Sequence, residues 1–132
     1  MPGSTVLVIE DNSIQREGLA AVLRQQGFTV LTAENGSDAL NRLSNGIPDL
    51  ILLDMLMPGW DGWWFLEQRK RLPALASVPV IITTALAVAG GDWASSLGAA
   101  GLLRKPFEVE PLLAEIRRCL GGTGRGGRGI FI

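Results

Sequence analysis

The chain has 132 residues, 47% of them hydrophobic, and a formal net charge of −1, which suits one domain with an ample core. The near balance of charge excludes a nucleic-acid binder driven by bulk charge, and no apolar run reaches the ~18 residues that suggest a membrane span. Histidine is absent, which excludes histidine acid–base catalysis, histidine metal ligands and Ser-His-Asp triads, and means that this chain cannot itself carry a phosphohistidine.

Two periodicities alternate along the chain. Thr5-Val6-Leu7-Val8-Ile9 is a continuous apolar run, as in a strand covered on both faces. Asn12 or Ser13 is placed to cap the next helix, in which Ile14, Leu19, Val22 and Leu23 are expected inward and Gly27 suits the stop. Phe28 to Ala33 reads as a second strand, and Asn35 to Asn45 as a helix with Ala39, Leu40 and Leu43 inward. Pro48 breaks the chain before a third strand, Leu50-Ile51-Leu52-Leu53, which ends at Asp54. Asp61 is expected to cap a helix running to about Arg71. Val80-Ile81-Ile82-Thr83-Thr84 is the fourth strand. A helix near Asp92 to Leu97 is weakened by Gly90 and Gly91, which cost about 1 kcal/mol each against Ala inside a helix. Leu102-Leu103-Arg104 is a short fifth strand, and Glu108 to Leu120 a last helix with Val109, Leu112, Leu113, Ile116 and Leu120 on one face. Pro111 falls in its first turn, where a missing N–H does little harm.

Residues 1–120 are therefore expected to form a single domain, and 121–132 a flexible Gly/Arg-rich tail, with Arg125 and Arg128 between glycines. Met1-Pro2-Gly3-Ser4 has no charged leader, so no signal peptide is expected. The lone Cys119 cannot form an internal disulfide, which fits a reducing, cytoplasmic setting.

Strand–helix alternation implies a doubly wound α/β fold with a parallel sheet and helices on both faces. In such sheets ligands gather at the carboxyl ends of the strands. Polar residues stand where the strands stop: Glu10-Asp11, Asp54, Thr84 and Lys105-Pro106. Each has a plain structural use. Glu10-Asp11 can cap the first helix, Thr84 can be an ordinary strand residue, and Lys105 a solvated charge. Their coincidence at one sheet edge points to a site. Clustered carboxylates repel unless a cation joins them, and hard oxygen ligands in an open site suit Mg²⁺. A carboxylate beside Mg²⁺ and a lysine can act as a nucleophile toward phosphorus, with Lys105 and the Thr84 hydroxyl meeting charge on the transferring oxygens.

Four segments carry a resemblance. Val8-Ile9-Glu10-Asp11-Asn12 resembles the acidic opening of response regulator receiver domains, and Asp54-Met55-Leu56-Met57-Pro58-Gly59-Trp60-Asp61-Gly62 resembles their D-x-x-M-P-x-x-D-G signature. Pro79-Val80-Ile81-Ile82-Thr83-Thr84-Ala85 is similar to their P-V-I-x-x-T-A strand, and Gly98-Ala99-Ala100-Gly101 with Lys105-Pro106-Phe107 to their G-A-x-G and K-P-F segments. The match runs in order from about Thr5 to Leu120.

The resemblance implies a flavodoxin-like fold with strand order 2-1-3-4-5, and a phosphoacceptor switch rather than an enzyme. It implies that Asp54 accepts the phosphoryl group and that Thr84 and Lys105 contact its oxygens. Mg²⁺ would be held by Asp11 and Asp54, by Glu10 through a bound water, and by the backbone carbonyl of Leu56. Lys105-Pro106 is expected to be a cis peptide. The partners implied are a histidine kinase or histidine phosphotransfer protein and a downstream protein, with neither direct DNA binding nor a membrane.

The sequence departs from the family pattern at Leu102, where an aromatic switch residue is usual. Trp64, adjacent to Trp63 on one helix, is a candidate exposed anchor for a partner. Two other readings stay open: a pseudo-receiver docking module, and an aspartyl phosphohydrolase of the haloacid-dehalogenase kind. The latter group carries D-x-D-x-T/V, whereas Leu56 follows Asp54 at the second-acid position. A nucleotide-binding flavodoxin-like protein finds no glycine-rich phosphate loop to support it.

Overall fold

The computed structural model describes residues 3–55, 61–86 and 90–121. Strands β1 (Thr5–Ile9), β2 (Thr29–Ala33), β3 (Leu50–Asp54), β4 (Val80–Thr84) and β5 (Gly101–Arg104) form one parallel sheet in the order β2-β1-β3-β4-β5. The connecting helices are α1 (Ser13–Gln25), α2 (Gly36–Arg42, prolonged by a 3-10 turn over Leu43–Asn45), α3 (Asp61–Arg71), α4 (Pro73–Ala76), α5 (Gly91–Ser96) and α6 (Val109–Gly121). The doubly wound architecture and strand order match the expectation, and α6 runs one residue past the expected domain limit. The single turn α4, opened by Pro73, was not expected.

Alternation along the strands divides the core in two. Val6, Val8, Leu50, Leu52, Ile81 and Leu103 pack with Ala20 and Leu23 of α1 and with Leu112, Leu113 and Ile116 of α6. Leu7, Ile9, Ile51, Leu53, Val80 and Ile82 pack on the other side with Ala39, Phe65, Leu66, Leu75 and Ala94. Continued past the strand ends, the same alternation carries Glu10 and Asp54 onto the α1/α6 side and Thr84 onto the opposite side.

Helix α1 begins where the Asn12 side chain accepts the Gln15 N–H at 2.9 Å, so Asn12, and not the acidic pair before it, is the cap. It ends with Gly27 in the left-handed region, φ +96°. There the Gly27 N–H donates to the Arg24 carbonyl at 3.0 Å and the Phe28 N–H to the Leu23 carbonyl at 3.1 Å, a paired closure sealed by the buried Phe28 and Leu23. Ile14 is a correction to the expected inward set: it is 83% exposed, because its place on α1 is about half a turn around from Leu23. Val109 is likewise 42% exposed, lying at the start of α6 before that helix settles onto the sheet.

Helix α5 ends as α1 does. Gly98 has φ +81°, its N–H donates to Ser95 at 2.9 Å, and the Ala99 N–H donates to Ala94 at 3.1 Å. Gly98→Ala will therefore lower stability by about 1–2 kcal/mol, read from the denaturant midpoint at constant slope. An unmoved midpoint would show that this position tolerates a Cβ.

Asp61 falls inside the first turn of α3, and its carboxylate reaches across to accept the Gly36 N–H at 2.5 Å. It thus serves an unpaired amide at the start of α2. A Cβ on Gly36 would meet Trp64 Cε3 at 3.0 Å and Phe65 Cβ at 3.2 Å, so α2 and α3 approach closely there and a larger residue would have to push these side chains aside. Arg69 is buried and donates to the Val78 carbonyl at 2.6 Å and the Ala76 carbonyl at 3.2 Å. It satisfies the chain end of α4, and burial pushes its pKa down from the usual guanidinium value.

Candidate functional site

The carboxyl edge of the sheet brings the expected acids together. Glu10 and Asp54 are 4% and 5% exposed, while Asp11 is exposed. One oxygen from each of the three lies within 4.8 Å of the others. β1 and β3 are neighbours in register, with Ile9 beside Leu53, so the acids that follow Ile9 and Leu53 come side by side. Three hard oxygen donors at this spacing fit a small divalent cation.

Lys105 lies among them. Its peptide bond to Pro106 is cis, as expected. Its own N–H donates to the Thr84 carbonyl at 2.7 Å, which anchors the loop after β5 to the end of β4. The ammonium donates to Glu10 Oε1 at 2.6 Å and Gln15 Oε1 at 2.9 Å, and stands 3.5 Å from Asp54 Oδ2. The second Glu10 oxygen accepts the Asn12 N–H at 3.1 Å. Burial pushes the Glu10 carboxyl above its ordinary value, the bonds from Lys105 and Asn12 oppose this, and nearby Asp54 adds to the rise. Among the described residues, Lys105 thus pairs with both buried carboxylates.

Thr84 is fully buried, and its hydroxyl accepts the Leu86 N–H at 3.1 Å. It is at the edge as expected, held by the loop that follows it. Leu56, whose carbonyl was expected to complete the metal ligands, and Trp60 lie outside the described residues, as do residues 122–132 of the tail. Gly62 explains its own place in the signature: a Cβ there would meet Met55 Sδ at 2.9 Å, Met55 Cα at 3.2 Å and the Asp54 carbonyl oxygen at 3.3 Å. Only glycine lets α3 lie against the backbone that carries Asp54.

Gln15 was not singled out from the sequence. The available signal was its position three residues after the Asn12 cap, in the first turn of α1. Leu102 is partly buried against the core on the α3/α5 side. Trp63 and Trp93 pack on that same core and meet edge to face, with centroids 6.3 Å apart and planes at 68°. Trp64 is 42% exposed. A groove of about 510 Å³ opens beside Lys105, walled by Leu19, Val22, Phe107, Val109 and Leu112. No helix among the described residues is long and apolar enough to cross a membrane.

Comparison with known proteins agrees with this arrangement. A family model described as the response regulator receiver domain matches residues 6–117. The chain is 34% identical over 118 residues to the protein PilH of Pseudomonas aeruginosa, covering 89% of this chain and 98% of PilH. It is 38% identical over 114 residues to the phosphate regulon transcriptional regulatory protein PhoB of Escherichia coli K12, covering 85% of this chain and 49% of PhoB. It therefore spans about half the length of that relative. Among solved structures, the signal receiver domain of a signal transduction histidine kinase from Syntrophus aciditrophicus superposes with a TM-score of 0.80 at 32% identity, covering 93% of this chain and 94% of that one. The chemotaxis protein CheY4 of Vibrio cholerae superposes with a TM-score of 0.81 at 27% identity, covering 89% and 99%.

Proposed function

This chain belongs to the response regulator receiver domain family, and from that premise we propose that it accepts a phosphoryl group on Asp54 from a phosphohistidine of a partner kinase or phosphotransfer protein. The observation that carries the reading is the meeting of a buried carboxylate, Asp54, with two further acids and the Lys105 ammonium at one sheet edge. An Asp54 oxygen attacks phosphorus, the new P–O bond forms as the donor P–N bond breaks, and the electron pair returns to the imidazole nitrogen. Lys105 lies near enough to Asp54 to meet the equatorial oxygens that carry the transferring charge. The Thr84 hydroxyl, which keeps its hydrogen while accepting from Leu86, has that hydrogen to donate to a phosphoryl oxygen.

The cation we assign is Mg²⁺, held by Asp11 and Asp54, by Glu10 through water, and by the Leu56 carbonyl. When bound it neutralises the clustered acids and the phosphoryl oxygens. Incubation with acetyl phosphate and Mg²⁺ should add one phosphoryl group to the intact mass, and a chelator should prevent it. A mass unchanged under both conditions would refute the reading.

The partner that brings the phosphohistidine is given a landing place by the exposed Ile14 and by the apolar groove beside Lys105. We take the chain to be a switch read by a downstream protein rather than a turnover enzyme. The signal cannot run through an aromatic rotamer at Leu102. The moving parts are Thr84, the Ala85-Leu86 segment it holds, and the short α5, which begins after Gly90. A beryllofluoride mimic of the phosphoryl group should change amide exchange at Ala85, Leu86 and α5 more than at β5. A change confined to β5 would redirect the search for the output surface to α3 and Trp64.

A further inference from the structure

The structure assigns Gln15 a positioning role: its side-chain oxygen holds the Lys105 ammonium at the phosphoacceptor site. This rests on the proposed phosphorylation of Asp54. An ammonium has three hydrogens on a flexible four-carbon stem, and its aim depends on what holds it. Glu10 takes one hydrogen and Gln15 a second, at 2.6 and 2.9 Å, which leaves the third for the side where Asp54 Oδ2 stands at 3.5 Å. Glu10 is also one of the three clustered acids, so a cation held there shares its carboxylate. Gln15 has no second duty of that kind. It is neutral, and it anchors Lys105 without adding a fourth negative charge to the cluster.

Gln15 is itself well placed to act as a fixed post. It stands in the first turn of α1, and its N–H is pinned by the Asn12 cap at 2.9 Å. Its side chain lines the same groove as Glu10 and Lys105. The Asn12 cap that opens α1 thus fixes the backbone that carries the lysine's holder.

The test is a double-mutant cycle on the intact chain, following phosphorylation by acetyl phosphate at saturating Mg²⁺ by intact mass. Gln15→Leu should slow the reaction about tenfold, the size of one charge-assisted hydrogen bond near the surface. In a Lys105→Met background the same change should have less than about a twofold effect, since its object is gone. Gln15 is exposed, so matched thermal melts will verify the fold, with Gln15→Ala as the second variant. The role is overturned if Gln15→Leu and Gln15→Ala react as fast as the parent, or if the slowing is equal in both lysine backgrounds. Should Lys105→Met itself react at the parent rate, the role proposed for Lys105 falls, and that of Gln15 with it. Should Lys105→Met be slow while Gln15→Leu is not, only the inference about Gln15 fails.

Discussion

Asp54→Asn will take up no phosphoryl group from acetyl phosphate and Mg²⁺, while the parent chain gains one. Asparagine keeps the shape of the side chain but replaces an anionic oxygen with a neutral amide oxygen that is a poor nucleophile toward phosphorus. The neighbouring acids, Glu10 and Asp11, are already present in the parent and do not restore the lost charge at that position. The fold will survive, because removing one of three mutually repelling carboxylates relieves the cluster. The Lys105 ammonium keeps its bonds to Glu10 and Gln15. The thermal midpoint without metal should therefore hold or rise, which separates lost chemistry from lost structure. Equal labelling of parent and variant would move the phosphoacceptor to another residue.

Asp11→Ala will weaken Mg²⁺ binding by a factor on the order of 100, the scale expected when a full negative charge leaves the contact shell of a dication near a protein surface. The residue is exposed, and the helix after it is capped by Asn12, so truncation leaves the framework standing. The comparison with Glu10 is informative. Glu10 is buried and already bonded to Lys105 and to the Asn12 N–H, so its loss would disturb the lysine as well as the metal. Calorimetric titration of the Asp11 variant isolates the metal contribution. A dissociation constant unchanged from the parent would remove Asp11 from the ligand set.

The fold was legible because its inner strands are unbroken apolar runs with polar residues at their carboxyl ends. In a chain that alternates so regularly between strand and helix, such runs belong to a parallel sheet covered on both faces. Placement of Glu10, Asp11, Asp54 and Lys105 at one edge followed from the parallel topology and needed no knowledge of side-chain contacts. What stayed hidden depended on contacts between segments distant in sequence. Arg69 reads as a solvated basic residue at a helix end, and only the carbonyls of Ala76 and Val78 reveal why it is buried. Asp61 reads as a cap for its own helix, yet its carboxylate serves Gly36 of another. Ile14 reads as one of the helically spaced apolar residues of α1, yet at about 100° per residue it stands on the face opposite Leu23. The turn α4 was too short for any periodicity to register. Gln15 escaped because its partner, Lys105, is supplied from the other end of the chain.

The edge-to-face meeting of Trp63 and Trp93 has an optical consequence. Two indoles at this separation couple their excited states, and the sign and size of the resulting near-ultraviolet dichroism depend on the angle between the rings. One ring rides on α3 and the other on α5, whose displacement is the expected output. Tyrosine is absent, so that spectral window belongs almost wholly to tryptophan. The protein therefore carries its own unlabelled goniometer between the two helices, and a change in the couplet on adding beryllofluoride would register their relative rotation without a dye or an engineered probe.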